Sequence, residues 1–155
     1  MRGFAAVGLV NPKNSINVGS ALRAAGCFEA SLVVVAGLRP ERYMGRIASD
    51  TQKTYRHTPV IRIADVFDAA PYDCIPIAVD LVPGARDLRQ FTHPERAFYI
   101  FGPEDGTLGR AIVDRCKYAI MVPTRFCMNL AATVNVVLYD RMLKRNEPAT
   151  IVEAA

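Results

Sequence analysis

The sequence of 155 residues contains no tryptophan, only two histidines and four cysteines. No two cysteines stand at C-x-x-C spacing, and neither His57 nor His93 has a recognisable partner at metal-site or triad spacing. We therefore predict no metal site, and we expect ordinary surface or packing roles for both histidines. No apolar segment approaches the ~20 residues that a membrane span needs, so we expect no membrane association.

We also expect no secretion signal at the N-terminus. The apolar run after Arg2 is only about a strand long, stops at Asn11 and carries no small-residue cleavage site. We therefore expect a reduced cytoplasmic compartment, in which the cysteines are free thiols. They are Cys27, Cys74, Cys116 and Cys127.

The composition is that of a soluble globular domain, with 51% hydrophobic and 22% charged residues. A chain of this length is about one domain and can bury a sizeable core, so we predict a single domain over residues 1–155. No internal repeat, low-complexity tract or linker interrupts it. The formal net charge of +4 favours polyanionic partners.

Short apolar runs rich in β-branched residues recur between helical patterns. This alternation predicts an α/β fold with a mainly parallel sheet and helices on both faces. The predicted strands are Phe4–Val10, Ser31–Val35, Val60–Ile63, Cys74–Val79, Ala97–Phe101 and Tyr118–Val122.

Three helices are expected before the C-terminal one. The first has Asn14 or Ser15 as its N-cap and Gly26 just past its end, and Pro71 ends the second. The predicted helical segments are Ser15–Ala25, Ile63–Ala70 and a stretch within Asp105–Arg115.

The last predicted helix, Met128–Lys144, is apolar nearly all round. A helix with so little polar surface needs cover on several sides, which one sheet face of a small domain cannot supply. We therefore expect a homodimer packed through this helix. The alternative is a helix wedged deep in the monomer.

Three loops that follow predicted strands carry the residues most suited to chemistry. In the first, Asn17 offers an amide, Gly19 permits close approach to the backbone, and Arg23 presents a fixed cation. Gly19 and Arg23 are four residues apart and therefore share a helix face. Ligands of open α/β sheets bind at the carboxyl ends of the strands, where this loop begins.

The second and third loops are weaker signals when each is taken alone. Residues 101–109 contain three glycines, but their spacing fits neither a dinucleotide motif nor a P-loop, and an ordinary strand-to-helix turn explains them. In residues 122–130, Asn129 can be a simple N-cap, or the loop backbone can cradle a ligand. Three such loops at one sheet edge together favour a binding site.

Basic residues are concentrated between positions 39 and 62. Six positive residues minus Glu41 and Asp50 leave a local surplus of +4, and two tyrosines and a histidine are interleaved. Aromatic rings beside cations suit unpaired bases and phosphates, although a solvated helix face explains any single charge. The predicted RNA-binding residues are Lys13, Arg39, Arg42, Arg46, Lys53 and Arg56.

With these three loops in order, the sequence resembles the SpoU (TrmH-like) branch of the SPOUT RNA methyltransferases over nearly its whole length. Asn17-Val-Gly-Ser-Ala-Leu-Arg23 fits the first family motif, Asn-x-Gly-x-x-x-Arg. Phe101-Gly-Pro-Glu-Asp-Gly-Thr-Leu108 is similar to the second, usually Phe-Gly-x-Glu-x-x-Gly-Leu, with the later glycine shifted by one residue. Cys127-Met-Asn-Leu-Ala131 fits the third, where Ser-Met-Asn-Leu-Ser is typical.

The resemblance implies a parallel α/β sheet whose C-terminal portion is threaded into a trefoil knot, a rare exception to the rule against threaded chains. It implies that S-adenosylmethionine binds in the knot and that the protein is a dimer packed partly through the terminal helix. The implied reaction is methylation of a ribose 2′-hydroxyl in transfer or ribosomal RNA. Without an added RNA-binding domain, the chain looks like the minimal members that modify transfer RNA.

The resemblance also assigns residues. Arg23, Asn17, Glu104 and Asn129 match the polar catalytic positions, and Arg23 matches the arginine assigned to the 2′-hydroxyl and phosphate. Because a guanidinium stays protonated in proteins, we expect Arg23 to stabilise the developing alkoxide rather than to act as the base. The implied cofactor-binding residues are Val79, Asp80, Gly102, Val122, Pro123, Cys127, Met128 and Leu130.

Two residues depart from the family pattern. Cys127 and Ala131 stand where serines are usual, and a thiol is a weaker hydrogen-bond donor than a hydroxyl. The main alternative is therefore a non-catalytic RNA-binding protein of the same fold, and a ribosomal RNA methyltransferase is another. A nucleotide-dependent metabolic enzyme is disfavoured, because the GxGxxG turn and its later acidic residue are missing.

Overall fold

The computed structural model describes residues 3–42 and 53–146, in which strands alternate with α-helices and short 3₁₀ turns. The strands are β1 (Phe4–Val10), β2 (Leu32–Ala36), β3 (Val60–Ile63), β4 (Ile75–Val79), β5 (Arg86–Asp87), β6 (Arg96–Phe101) and β7 (Tyr118–Met121). The helices are α1 (Ser15–Cys27), α2 (Arg110–Val113) and α3 (Leu130–Lys144).

The strands form one parallel sheet in the order β3-β2-β1-β6-β4-β7-β5. β1 lies in the interior, where Gly8 is level with Val34 of β2 and with Ile100 of β6. The predicted parallel α/β sheet is confirmed, and β1 and β3 have the predicted bounds. The pattern missed β5, because two residues at the edge of a sheet are too few to show a period.

The sheet buries apolar side chains on both faces. Val7 and Leu9 pack on one side with α1 and α3, whereas Ala6 packs on the other side with Val66 and Leu108. Successive strand residues point to opposite faces, so a strand covered on both sides consists of apolar residues almost throughout. Helical cover on both faces is confirmed, with α2 and the Val66–Ala69 turn on the second face.

α1 begins at the predicted residue but ends later than predicted. Its N-cap is Asn14, whose side-chain oxygen accepts a hydrogen bond from the backbone amide of Asn17 at 2.9 Å. The helix continues to Cys27, so the prediction that Gly26 lies past its end is wrong. Thr54 packs so closely that a Cβ at Gly26 would lie 2.7 Å from its Oγ1. Glycine at this position serves a close contact rather than a turn.

The second predicted helix is shorter than the sequence predicts. Ile63 pairs with Ala36 as the last residue of β3, and only Val66–Ala69 is helical, as a single 3₁₀ turn. The predicted helix within Asp105–Arg115 is confirmed as α2, which is one turn long.

α3 begins at Leu130, because Asn129 is its N-cap, and it ends at the predicted Lys144. One side of the helix packs into the core, but Tyr139 is 52% and Leu143 is 63% exposed on the other. The alternative of a helix wedged deep in the monomer is therefore wrong. The core-facing apolar residues are Leu130, Ala131, Val134, Val137 and Leu138.

Within residues 3–42 and 53–146, no helix has the length and apolar character to cross a membrane. The same ranges contain no group of three His, Cys, Asp or Glu side chains that could hold a metal ion. They include all four cysteines, and each of these is a free thiol. The trefoil knot and the single-domain extent stay predictions.

Candidate active site

The carboxyl ends of β1, β6, β4 and β7 meet at one edge of the sheet, because these strands are parallel neighbours in that order. The three loops predicted from the sequence follow β1, β6 and β7, and a fourth segment follows β4. The topology therefore brings the three sequence motifs to the same edge.

A chain of side-chain hydrogen bonds joins the three loops. Glu104 of the second loop accepts hydrogen bonds from the side-chain amide of Asn17 and from the backbone amide of Lys13, the latter at 2.8 Å. The side-chain oxygen of Asn17 accepts in turn from the side-chain amide of Asn129 at 2.9 Å. We name the chain Glu104–Asn17–Asn129 the amide relay. It unites three of the four predicted catalytic residues.

Asn129 has both of the roles that the sequence left open. Its side-chain oxygen accepts from the backbone amides of Ala131 (2.9 Å) and Ala132 (3.3 Å), which caps α3. Its side-chain nitrogen donates to Asn17 in the amide relay. Because Asn17 lies in the first turn of α1, the relay sets the start of α3 against the start of α1.

Next to the amide relay lies a cleft of about 610 Å³, including the part that is open to solvent. Glu104 lines it, which places the relay at its wall. Of the residues predicted to bind the cofactor, Pro123 is not among those that line the cleft. The others do line it: Val79, Asp80, Gly102, Val122, Cys127, Met128 and Leu130.

Several lining residues were not predicted from the sequence. Thr133 lies one helical turn after Asn129 and donates its hydroxyl to the Asn129 carbonyl at 2.9 Å, so helical spacing could have found it. Thr124 donates its hydroxyl to the carbonyl of Phe126 at 2.8 Å, a contact that no spacing signals. The remaining unpredicted lining residues are Leu81, Phe101, Pro103, Gly106 and Met121.

The second loop folds back over Gly102. A Cβ at this position would lie 3.1 Å from the backbone nitrogen of Leu108 and 3.3 Å from its Cγ, which is tighter than ordinary packing allows. Leu108 is itself buried. The missing side chain of Gly102 therefore lets the loop close on itself at the edge of the cleft.

Arg23 lies apart from the cleft. Its side chain is exposed, and it is six residues, or more than one helical turn, along α1 from Asn17. It shares its helix face with Ile16, which is seven residues earlier and 67% exposed. Within this chain, the structure therefore separates Arg23 from the other predicted catalytic residues.

Two of the predicted RNA-binding residues lie next to the cleft. The backbone amide of Lys13 is bonded to Glu104, and its side chain is exposed. Arg39 forms an ion pair at 2.8 Å with Asp105, which is the residue after Glu104. The Arg39 guanidinium holds the pKa of the Asp105 carboxyl below its ordinary value. Both cations of this rim therefore lie beside carboxylates, Arg39 paired with Asp105 and Lys13 next to Glu104.

Two other predicted RNA-binding residues lie away from the cleft. Lys53 and Arg56 are exposed at a 3₁₀ turn that packs against the C-terminal half of α1 through Thr54 and Gly26. Arg46 and the side chain of Arg42 lie outside the described residues.

The chain belongs to the SpoU rRNA Methylase family, whose model matches residues 5–139. No curated protein matches it in sequence. Its fold is similar to that of the SpoU methyltransferase AviRb from Streptomyces viridochromogenes in complex with the cofactor AdoMet (TM-score 0.83, 22% identity, covering 95% of this chain and 60% of that one). It thus spans about 60% of the length of AviRb.

Two further structures share the fold over nearly the whole of this chain. One is the A. aeolicus TrmH/SpoU tRNA modifying enzyme (TM-score 0.80, 15% identity, covering 95% of this chain and 77% of that one). The other is a protein studied for 2-OH methylation of C/U34 on tRNA (TM-score 0.77, 18% identity, covering 96% of this chain and 100% of that one). At these identities, the similarity establishes the fold.

Proposed function

We propose that this protein is an S-adenosylmethionine-dependent RNA methyltransferase that modifies a ribose 2′-hydroxyl of transfer RNA. The observation that carries the proposal is the amide relay, because it joins all three family motifs at the wall of one cleft. The AdoMet complex of AviRb supports the cofactor, and the two tRNA-related structures support the substrate. The four free thiols are consistent with a reducing, cytoplasmic compartment.

The lining of the cleft suits the chemistry of this cofactor. Val79, Met128 and Leu130 offer apolar surface, and the hydroxyls of Thr124 and Thr133 lie among them. A ligand with an aromatic base at one end and an amino acid at the other needs both kinds of group. We therefore assign six of the seven cleft-lining residues predicted above to direct cofactor contact: Val79, Gly102, Val122, Cys127, Met128 and Leu130.

When bound, the cofactor supplies an electrophilic methyl group on a sulfonium centre. Methyl transfer would form an oxygen–carbon bond at the ribose 2′-position and release the hydroxyl proton to water, while the electron pair of the carbon–sulfur bond would stay on sulfur as a neutral thioether. The chain contributes alignment, because the amide relay holds the loops in one arrangement. Arg23 remains protonated, clamps the neighbouring phosphate and stabilises the negative charge that develops on the 2′-oxygen.

We further propose that the protein is a homodimer packed through the outer faces of α1 and α3. Ile16, Tyr139 and Leu143 are large apolar residues that lie mostly exposed on these faces. Phe28 and Tyr139 are in edge-to-face contact, with ring centroids 6.3 Å apart, which joins the two helices into one surface. In such a dimer Arg23 lies in the interface, and we propose that it serves the cleft of the second copy.

Incubation of the purified protein with methyl-labelled S-adenosylmethionine and total transfer RNA tests the activity. We expect label in transfer RNA. The phosphodiester bond that follows the methylated ribose should resist alkaline cleavage, because a methylated 2′-oxygen cannot attack the adjacent phosphate. Ribosomal RNA labelled in place of transfer RNA would contradict the substrate. The absence of both methyl transfer and cofactor binding would contradict the function itself.

The second candidate function is RNA binding without catalysis, which Cys127 and Ala131 favour because they replace two family serines. It predicts salt-sensitive RNA binding without turnover. An Arg23→Ala variant that abolishes a measurable methylation would exclude it. We expect a loss of about 10²–10³-fold in kcat, as for the removal of one charge-stabilising donor.

Mixed dimers test whether Arg23 acts across the interface. Arg23→Ala and Asn129→Ala chains are each expected to be inactive alone. If Arg23 serves the partner's cleft, mixing them restores one intact site in every mixed dimer. If Arg23 serves its own cleft, the mixture stays inactive.

A further inference from the structure

Asp80 follows β4 directly, and both of its carboxylate oxygens accept hydrogen bonds from the backbone. Oδ1 accepts from the amide of Leu81 and Oδ2 from the amide of Leu108, each at 2.8 Å. Leu81 lines the cleft, whereas Leu108 is buried near the end of the second loop, 28 residues along the chain from Asp80. One carboxylate therefore ties together two segments that form the cleft.

Two other aspartates, Asp65 and Asp87, accept a backbone hydrogen bond only within their own turn and serve as a comparison with Asp80. Asp65 accepts from the amide of Phe67 and Asp87 from that of Arg89, both at 2.9 Å and two residues ahead, so each caps its own turn, whereas the local bond of Asp80 is to the next residue. Their second oxygens bind arginine side chains, Arg115 for Asp65 and Arg89 for Asp87. Of these three aspartates, Asp80 alone directs its second oxygen to a backbone amide in a distant loop.

The amide of Leu108 stands at the point where the second loop folds back. It lies 3.1 Å from the position that a Cβ of Gly102 would take, and Oδ2 of Asp80 accepts its hydrogen. A donor at this place without an acceptor would disfavour the closed loop. The carboxylate therefore stabilises the conformation that puts Gly102 and Gly106 in the cleft wall.

We propose that Asp80 is a positioning residue that holds the second loop in its cofactor-binding conformation through the Leu108 amide, and not by contact with the cofactor. This inference rests on the proposed function in so far as S-adenosylmethionine is the ligand measured. It assigns to Asp80 a role different from the direct cofactor contact that the family resemblance implies.

The test uses Asp80→Ser and Asp80→Asn. A serine side chain is too short to reach Leu108, and asparagine keeps only one of the two acceptor oxygens. For both variants we expect the Kd and KM for S-adenosylmethionine to rise about tenfold, the equivalent of one lost hydrogen bond, with kcat at saturation unchanged. In NMR spectra, the Leu108 amide proton should move upfield and exchange faster with solvent.

Asp65→Asn and Asp87→Asn are the matched controls, and we expect each to change cofactor affinity less than twofold. The proposal is wrong if the Asp80 variants leave the affinity and the Leu108 amide unchanged, or if the controls weaken binding equally. It is also wrong if affinity falls while the Leu108 amide is unchanged, since Asp80 then contacts the cofactor directly. A wild-type protein that binds no cofactor refutes the proposed function instead, and the Leu108 amide alone then decides whether Asp80 holds the loop.

Discussion

The two ends of α3 are held in place by different chemistry. Its start, at the cleft, is joined to α1 by the side-chain amides of Asn129 and Asn17, and Glu104 is the one ionisable group in that chain. Its far end is held by a cluster of ionisable and charged residues that contacts the segment before β6. We call this the His93 cluster, which consists of His93, Tyr99, Asp140, Arg141 and Lys144.

The hydrogen bonds of the His93 cluster fit a neutral histidine. Its Nε2 lies 2.8 Å from the Asp140 carboxylate, which can only accept, so Nε2 carries the proton. Nδ1 then accepts from the Tyr99 hydroxyl at 2.6 Å, and the oxygen of that hydroxyl accepts from Arg141 at 3.2 Å. Burial lowers the pKa of His93 below its ordinary value, although the hydrogen bond to Asp140 opposes that shift.

Charged side chains of the last turns of α3 also satisfy backbone carbonyls of the segment before β6. Arg141, which is 2% exposed, donates to the carbonyls of Pro94 and Glu95, each at 2.7 Å. Lys144 donates to the carbonyls of Leu88 and Phe91. The far end therefore has many buried or partly buried polar bonds, and the end at the cleft has few. We expect substitutions at the far end to reduce stability and those at the cleft to reduce activity.

The largest effect is expected from Arg141→Met, which keeps the apolar stem but removes the donors. Three carbonyls, those of Phe4, Pro94 and Glu95, and the Tyr99 hydroxyl would each lose a partner, so the free energy of unfolding should fall by about 3 kcal/mol. Denaturant unfolding measures it. A loss well below 1 kcal/mol would show that the His93 cluster does not anchor α3.

Asn17→Ala removes the hydrogen bonds of the amide relay at the start of α3. We expect kcat to fall about a hundredfold, because the loops lose their alignment, while the free energy of unfolding falls by only about 1 kcal/mol. Asn135→Ala is the control: it removes an asparagine of α3 that donates to the Ala131 carbonyl outside the amide relay. Equal losses of activity in the two variants would contradict a special role for the relay.

His93 predicts how stability changes with pH. Its folded pKa lies below the unfolded value near 6.5, so its contribution is complete above that pH and is lost as pH falls toward the folded pKa. The slope is at most about 1.4 kcal/mol per pH unit. His93→Gln should remove this slope, and His57→Gln should keep it. The pKa values of Asp65, Asp87 and Asp105 are also lowered, but their contributions to stability are lost only as the pH falls below about 4.

The smallest effect is expected from Arg110→Ala. Arg110 and Asp114 form an ion pair at 3.9 Å, with side chains 94% and 65% exposed. Solvent screens such a pair, so the unfolding midpoint should not move measurably. A clear shift of the midpoint would mean that an exposed ion pair stabilises the fold as a buried one does, and that burial does not explain the stabilising effect of the His93 cluster.

Much of this structure could be predicted because the signals are local. β1 and β3 have their predicted bounds, and Asn14 and Asn129 are caps of the helices that follow them. The convergence of three loops followed from parallel strands, whose carboxyl ends share an edge. Gly26 was misjudged because Thr54, which packs on it, is 28 positions away.

The His93 cluster had no signal in the sequence. His93 was expected to have an ordinary surface or packing role, and packing is confirmed, since the residue is buried. Its partners Tyr99 and Asp140 lie 6 and 47 residues away, at spacings that match no helix or strand period. Arg23 was expected at the cleft with Asn17, but the turn of α1 directs the two side chains differently.

By itself, the sequence determined the parallel α/β architecture, the family motifs and the edge at which they meet, because apolar periodicity and capping depend on neighbouring residues. The tertiary structure alone decided which polar groups pair: Glu104 with Asn17, Asp80 with Leu108, and His93 with Asp140. A hydrogen bond is made within about 3 Å, and only the folded chain brings residues from distant positions that close together.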